Sequence, residues 1–127
     1  MITDAQFDEQ QERIRALMRK WQFNMALNYW DIDHHYAQSK ADMVKEHEDA
    51  LAVCHADPQY LYASITWNMD AVKETSDERL ERIFVHELMH IHLAEMRGED
   101  GVTQQEERVA TELALSFVFL HRSMETG

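Results

Sequence analysis

The chain has 127 residues, of which 24 are acidic and 12 basic, and a formal net charge of −12 at neutral pH. This acidic excess repels phosphate backbones and anionic lipid surfaces, so we expect neither nucleic acid nor a membrane as a partner. The length predicts one domain, 1–127, and 45% hydrophobic residues suffice for a core. With one cysteine, no secretory signal and no apolar run of about 20 residues, the sequence favours a cytoplasmic protein.

The first half of the chain predicts one helix and three strands. A capping-box pattern at Thr3 precedes apolar side chains that recur at helical spacing to about residue 20. Strands are predicted at 28–36 and 50–56, and the clearest alternation of side chains lies at 60–68. We interpret the polar segment 40–49 as a turn or hairpin loop, which predicts a mostly antiparallel sheet.

Two further helices are predicted in the second half. Thr75 and Glu78 form a capping-box pattern at the start of a helix that ends near residue 97. Thr103 starts the last helix, which ends near residue 122. The predicted fold class is therefore α+β, with an N-terminal helix, a three-stranded sheet and two C-terminal helices.

The chemistry of the chain is concentrated in the first of these two helices, where residues 86–90 match the pattern HExxH. Four residues make about one helical turn, so His86 and His90 project from one side and can bind one metal ion. Glu87 lies near the middle of an apolar stripe, where an unpaired carboxylate would cost several kcal/mol. These three residues predict a bound cation. The alternative is a pair of hydrogen-bonded core histidines, with Glu87 paired to a buried base.

A third protein ligand is needed for a zinc site that keeps a position open for water. The extended histidine motif of metzincins is absent, so a carboxylate of the last helix is expected instead. Glu112 points away, and Glu106 is the third residue after Thr103 and is expected to cap the helix. We favour Glu107, with Glu106 as the alternative. Glu107 is in register with the small or apolar residues Ala110, Ala114 and Phe117.

The strand at 60–68, the HExxH helix and the segment Glu106–Ala114 together resemble small zinc-metallopeptidase-like proteins of phages and prophages. These are related to the SprT-like and ImmA/IrrE groups of gluzincin-type zincins. In the E-x-x-A-x-x-[FL]-A helix of these groups the glutamate is the third ligand, and it matches Glu107. Thr111 stands where the ImmA/IrrE signature usually has asparagine. The resemblance implies a minimal zincin-like fold and a strand beside the zinc cleft that pairs with an extended peptide, for which 60–68 is the candidate.

These features predict a zinc-dependent metallopeptidase acting on a peptide or protein substrate. Zn²⁺ would be held by His86, His90 and Glu107, and Glu87 would act as general base. Candidates for stabilising the oxyanion are Tyr62, His55 and His121. The alternative is a non-catalytic zincin-fold protein with a metal-binding, interaction or regulatory role, which a fourth internal ligand would favour.

Overall fold

In the computed structural model of the protein, which describes residues 2–43, 50–97 and 101–126, four helices and three strands form an α+β fold. Their bounds, in chain order, are α1 Asp4–Asn24, β1 Asp31–Ala37, β2 Ala52–Asp57, β3 Tyr62–Asn68, α2 Met69–Lys73, α3 Asp77–Leu93 and α4 Gln104–Thr126. The predicted fold class is confirmed. No helix of the described part is long and apolar enough to cross a membrane.

Helix α1 begins at the predicted capping box. The Thr3 hydroxyl accepts a hydrogen bond from the Gln6 amide at 3.1 Å, and the Thr3 amide donates to the Gln6 side chain at 2.9 Å. The helix continues to Asn24, beyond the predicted end near residue 20. Its last turns are held by Trp21, which is buried and donates a hydrogen bond to Glu81 of α3.

The sheet is mixed, so the prediction of a mostly antiparallel sheet was only half right. The strand order is β1-β3-β2, with β2 antiparallel and β1 parallel to the central strand β3. Segment 40–49 was predicted to be a hairpin loop, but the strands on either side of it are the two edges of the sheet and do not pair with each other. Residues 44–49 of that segment lie outside the described residues. The alternation at 60–68 places Ala63, Ile65 and Trp67 in the core.

The connection between β3 and α3 contains a short helix that the sequence patterns did not predict. The Asn68 side chain caps α2, and the Thr75 hydroxyl donates a hydrogen bond to the Ala71 carbonyl at its end. Thr75 therefore does not cap α3 as predicted. Ser76 does so, since its hydroxyl accepts from the Arg79 amide at 3.3 Å. The predicted capping residue Glu78 instead forms an ion pair with Arg122 of α4.

Helix α3 is central, and α4 runs antiparallel along it. The contacts that fix this direction join the end of α3 to the start of α4, at His90 and Glu107, and the start of α3 to the end of α4, at Glu78 and Arg122. The inner face of α4 consists of the small or medium-sized residues Ala110, Ala114 and Val118. Phe117, which we had placed on this face, is 41% exposed.

Candidate metal centre

Three side chains from α3 and α4 bring one potential ligand atom each to a common point. The Nε2 atoms of His86 and His90 are 3.0 Å apart, and the Glu107 carboxylate lies 2.8 Å from His90 Nε2 and 3.5 Å from His86 Nε2. All three ligand atoms lie within 4.8 Å of one another. Ligands about 2.1 Å from a tetrahedral zinc ion are separated by about 3.4 Å, so the cluster has the dimensions of a zinc site.

The hydrogen bonds on the far side of each imidazole also fit a metal ion. Glu106 lies 2.6 Å from His90 Nδ1, and a carboxylate there accepts the Nδ1 proton. The Thr111 hydroxyl donates to the Glu107 carbonyl at 2.9 Å and lies 3.3 Å from His86 Nδ1, from which it accepts. With both Nδ1 atoms protonated, the two Nε2 lone pairs and the Glu107 carboxylate face one another. Three converging lone pairs repel unless a cation lies between them.

Glu106 has a different role from the predicted helix cap. The Thr103 hydroxyl accepts a hydrogen bond from the Glu106 amide, as in a capping box, but the Glu106 carboxylate turns towards α3. There it accepts two hydrogen bonds from Arg97, at 2.8 and 2.9 Å, in addition to its contact with His90. Burial opposes ionisation of Glu106, but the hydrogen bonds from Arg97 and His90 outweigh it and lower the pKa of the carboxyl. Sequence analysis missed Arg97, because no spacing rule connects it to the motif.

Glu87 is buried beside the cluster but does not belong to it. Its side chain is 7% exposed, and burial, with a smaller contribution from the charge of Glu107, raises its pKa to about 8. Within the described residues no base forms an ion pair with Glu87, which argues against the alternative of a salt-bridged core residue. A carboxyl with a pKa near neutrality can both accept and return a proton.

The cluster lies at the wall of a cleft of about 420 Å³ bordered by β2. Its lining comprises Ala50, Ala52, Val53, Cys54, His86, Glu87, His90, Val102 and Glu107. The predicted docking strand, 60–68, was the wrong one, because β3 is central and both of its edges are paired. Strand β2 lines the cleft instead, and among the described residues only one of its edges is paired, the one facing β3.

The three candidates for stabilising an oxyanion do not line this cleft. The Tyr62 hydroxyl donates to Asp33 of β1 at 3.1 Å, and His55 is exposed on β2. His121 packs against the ring of Trp21 near the other end of α4. His92 does not line the cleft either, and its ring contacts the Met25 carbonyl.

Cys54 also lines the cleft, and burial raises the pKa of its thiol, but its sulfur is not among the ligand atoms that converge at the cluster. In the described part of the chain, His86, His90 and Glu107 are the only such group of metal-binding side chains. Three protein ligands would leave a tetrahedral ion one position for water, and the Glu87 carboxyl lines the same cleft. No protein-family model, curated protein or solved structure matches the chain.

Proposed function

We propose that this protein is a zinc-dependent metallopeptidase. The observation that carries the proposal is the convergence of three ligand atoms from His86, His90 and Glu107 beside the buried carboxyl of Glu87. A structural zinc site is normally closed by four protein ligands and needs no adjacent base. The cluster has three ligands within the described residues, which favours catalysis over the non-catalytic alternative.

The chemistry divides between the ion and the protein. When bound, Zn²⁺ supplies Lewis acidity, which makes water nucleophilic near neutral pH and polarises a peptide carbonyl. Glu87 accepts the proton that the attacking water releases and then donates it to the departing amine. Glu106 and Thr111 hold the imidazoles in the tautomer that leaves Nε2 free.

Substrate binding in this proposal uses the edge of β2 that is unpaired among the described residues. An extended peptide can pair with an exposed strand edge through backbone hydrogen bonds, which places one of its carbonyls over the cleft floor. We further propose kinship with the gluzincin-type zincins, on the strength of the HExxH helix and the Glu107–Ala114 segment. The single cysteine favours a reducing, cytoplasmic setting for this activity.

Metal content is the first test. Protein purified without chelators should contain about one zinc per chain by elemental analysis, and a His86→Ala, His90→Ala double variant should contain almost none. A His35→Ala, His55→Ala variant is the matched control, since it loses two exposed histidines outside the cluster. Wild-type protein without near-stoichiometric metal would contradict the proposal.

Activity is the second test. Glu87→Gln should keep its zinc but lose roughly 10²- to 10⁴-fold in the rate of peptide hydrolysis, because it cannot accept the proton. New peptide termini in an unfolded protein substrate can be counted by mass spectrometry. Glu112→Gln, at an exposed position of α4, should cleave at the wild-type rate. Equal rates for Glu87→Gln and wild type would rule out hydrolysis by this route.

A further inference from the structure

Two arginines of α3 have no acidic partner among the described residues, in a chain of net charge −12. The acids around the start of α3 each have their own cation: Asp77 pairs with Arg13 at 2.7 Å, Glu78 with Arg122 at 3.0 Å and Glu81 with Lys20 at 2.8 Å. Arg79 and Arg82 are exposed, and no acid of the described residues lies within 4.0 Å of either guanidinium. The surplus positive charge of this region therefore resides on these two side chains.

Both arginines line a groove between α3 and α4 that adjoins the metal centre. The groove has a volume of about 290 Å³, and its other lining residues are Ile83, His86, Thr111, Ala114 and Leu115. His86 lines both the groove and the cleft of the metal centre, so the two adjoin at this side chain. Arg82 and Arg79 precede His86 by four and seven residues and so share its face of the helix, about 6 and 10 Å away along the axis.

The helix adds to the positive potential of the groove. Arg79 lies in the first turn of α3, where the helix dipole is positive and a basic side chain is disfavoured. Ile83, Ala114 and Leu115 provide an apolar floor, which strengthens a charge interaction above it by excluding water. The groove therefore combines two uncompensated guanidinium groups with an apolar surface that continues from the candidate ligand His86.

We propose that this groove extends the substrate cleft and binds a carboxylate of the peptide through Arg79 and Arg82. The inference rests on the proposed peptidase function and names its substrate class, acidic peptides. An extended chain advances about 3.3 Å per residue, so the carboxylate would lie about two to three residues from the scissile bond. It could belong to an Asp or Glu side chain or to the C-terminus of the peptide.

Affinity selection tests the groove without requiring hydrolysis. Zinc-loaded Glu87→Gln protein is immobilised and exposed to a library of blocked decapeptides in which Asp, Glu, Asn and Gln vary at every position. Retained peptides should be enriched about five- to tenfold in acids over the matching amides. A second library, with free or amidated C-termini, distinguishes a side-chain carboxylate from a terminal one.

The arginines are then replaced in the same background. Arg79→Gln with Arg82→Gln should reduce the enrichment to about one. Arg108→Gln with Lys40→Gln makes the same change in charge at exposed positions outside the groove and should preserve it. Equal enrichment in both double variants, or none in the Glu87→Gln parent, overturns the inference.

A library without acidic residues and with amidated C-termini separates this inference from the proposed function. Wild type and the Arg79→Gln, Arg82→Gln variant, both with Glu87 intact, should cleave its peptides at equal rates. If both cleave these peptides but acidic peptides are not enriched, the peptidase stands and the groove assignment fails. If the wild type holds no zinc or cleaves nothing, the proposed function fails whatever the enrichment shows.

Discussion

The two adjacent glutamates at the start of α4 show how one step along the chain separates a candidate metal ligand, Glu107, from Glu106, which contacts the other side of His90. Successive helical residues are rotated by about 100°, so Glu106 and Glu107 cannot face the same atom of His90. Glu107 faces Nε2, and Glu106 faces Nδ1 and is neutralised by Arg97. Because Arg97 and His90 hold its carboxylate, Glu106 is positioned to fix the tautomer of His90 and does not compete for the metal.

Replacing Glu106 should therefore weaken zinc binding without removing a ligand. Glu106→Gln keeps the shape of the side chain but loses the charge that favours a protonated Nδ1, and we expect a zinc Kd about 10 to 100 times higher. Competition with a chromophoric chelator measures this constant. Glu112→Gln, on the exposed side of α4, should bind zinc like the wild type. If the zinc Kd of Glu106→Gln is unchanged, the Glu106 carboxylate only holds Arg97 in place and does not orient His90.

At the scale of single residues, the sequence predicted those site residues whose relative positions depend on helical spacing alone. The spacing of His86, Glu87 and His90 depends only on α3, and their juxtaposition follows from it. The capping pattern of Thr103 and Glu106 was half right, because the amide is capped but the side chain turns to His90. Whether the Glu106 side chain caps α4 or turns to His90 depends on how closely α3 approaches α4. The local sequence pattern does not encode this distance.

Among the elements, the three strands and the three long helices were predictable, but the short helix α2 and the order of the strands in the sheet were not. The alternation at 60–68 identifies a strand and its buried face, and Ala63, Ile65 and Trp67 are all buried there. It does not specify whether the strand is central or at an edge, since side-chain period is the same in both. The predicted docking edge was wrong for this reason, and β2, with a weaker pattern, borders the cleft.

The contact between α3 and α4 should be sensitive to side-chain size, because the metal centre spans it. Ala114 is 2% exposed on the inner face of α4, and leucine there would overfill the interface. We expect Ala114→Leu to lower the free energy of unfolding by about 1 to 3 kcal/mol. It should also weaken zinc binding, since α4 carries Glu107.

Urea denaturation and zinc titration measure the two effects of Ala114→Leu. Glu112→Leu is the matched control, because it adds leucine to the same helix at an exposed position. If Ala114→Leu behaves like this control in both measurements, the two helices are not in close contact at that point.

Across the whole molecule, acidic side chains lie at both ends of the α3–α4 pair. At one end, the buried carboxylate of Glu81 accepts hydrogen bonds from Trp21 and Arg122 and pairs with Lys20, which joins α1, α3 and α4. At the other end, Glu87 and Glu107 lie beside two imidazoles. A divalent ion at that end would compensate the charge of Glu107, as Lys20 and Arg122 compensate the charge of Glu81 at the other end.

The stability of the metal-free protein depends on pH through two side chains, His34 and Glu87, whose pKa values shift in opposite directions on folding. His34 stacks against Phe84, its Nδ1 accepts a hydrogen bond from Trp67, and burial lowers its pKa from 6.5 to about 4. The unfolded chain therefore binds a proton at His34 before the folded chain does, and stability falls as pH decreases from 6.5 to 4. Glu87 has the opposite sign. Its pKa is raised from 4.5 to about 8, so the folded chain keeps a proton that the unfolded chain has lost, and stability falls as pH increases between these values.

The metal-free protein should consequently be most stable at mildly acidic pH, and two variants should separate the two limits. His34→Gln keeps an acceptor for Trp67 without titrating, so between pH 6.5 and 4 its free energy of unfolding should rise relative to that of the wild type by on the order of 2 kcal/mol. Relative to the wild type, Glu87→Gln should gain stability as pH rises from 4.5 to 8, and it should keep the decline below pH 6.5 that His34 causes. Chelator-treated protein is denatured with urea at each pH to measure the free energy of unfolding. His55→Gln, at an exposed position, should follow the wild type throughout. Parallel curves for wild type and both variants would mean that neither side chain is protonated differently in the folded and unfolded states.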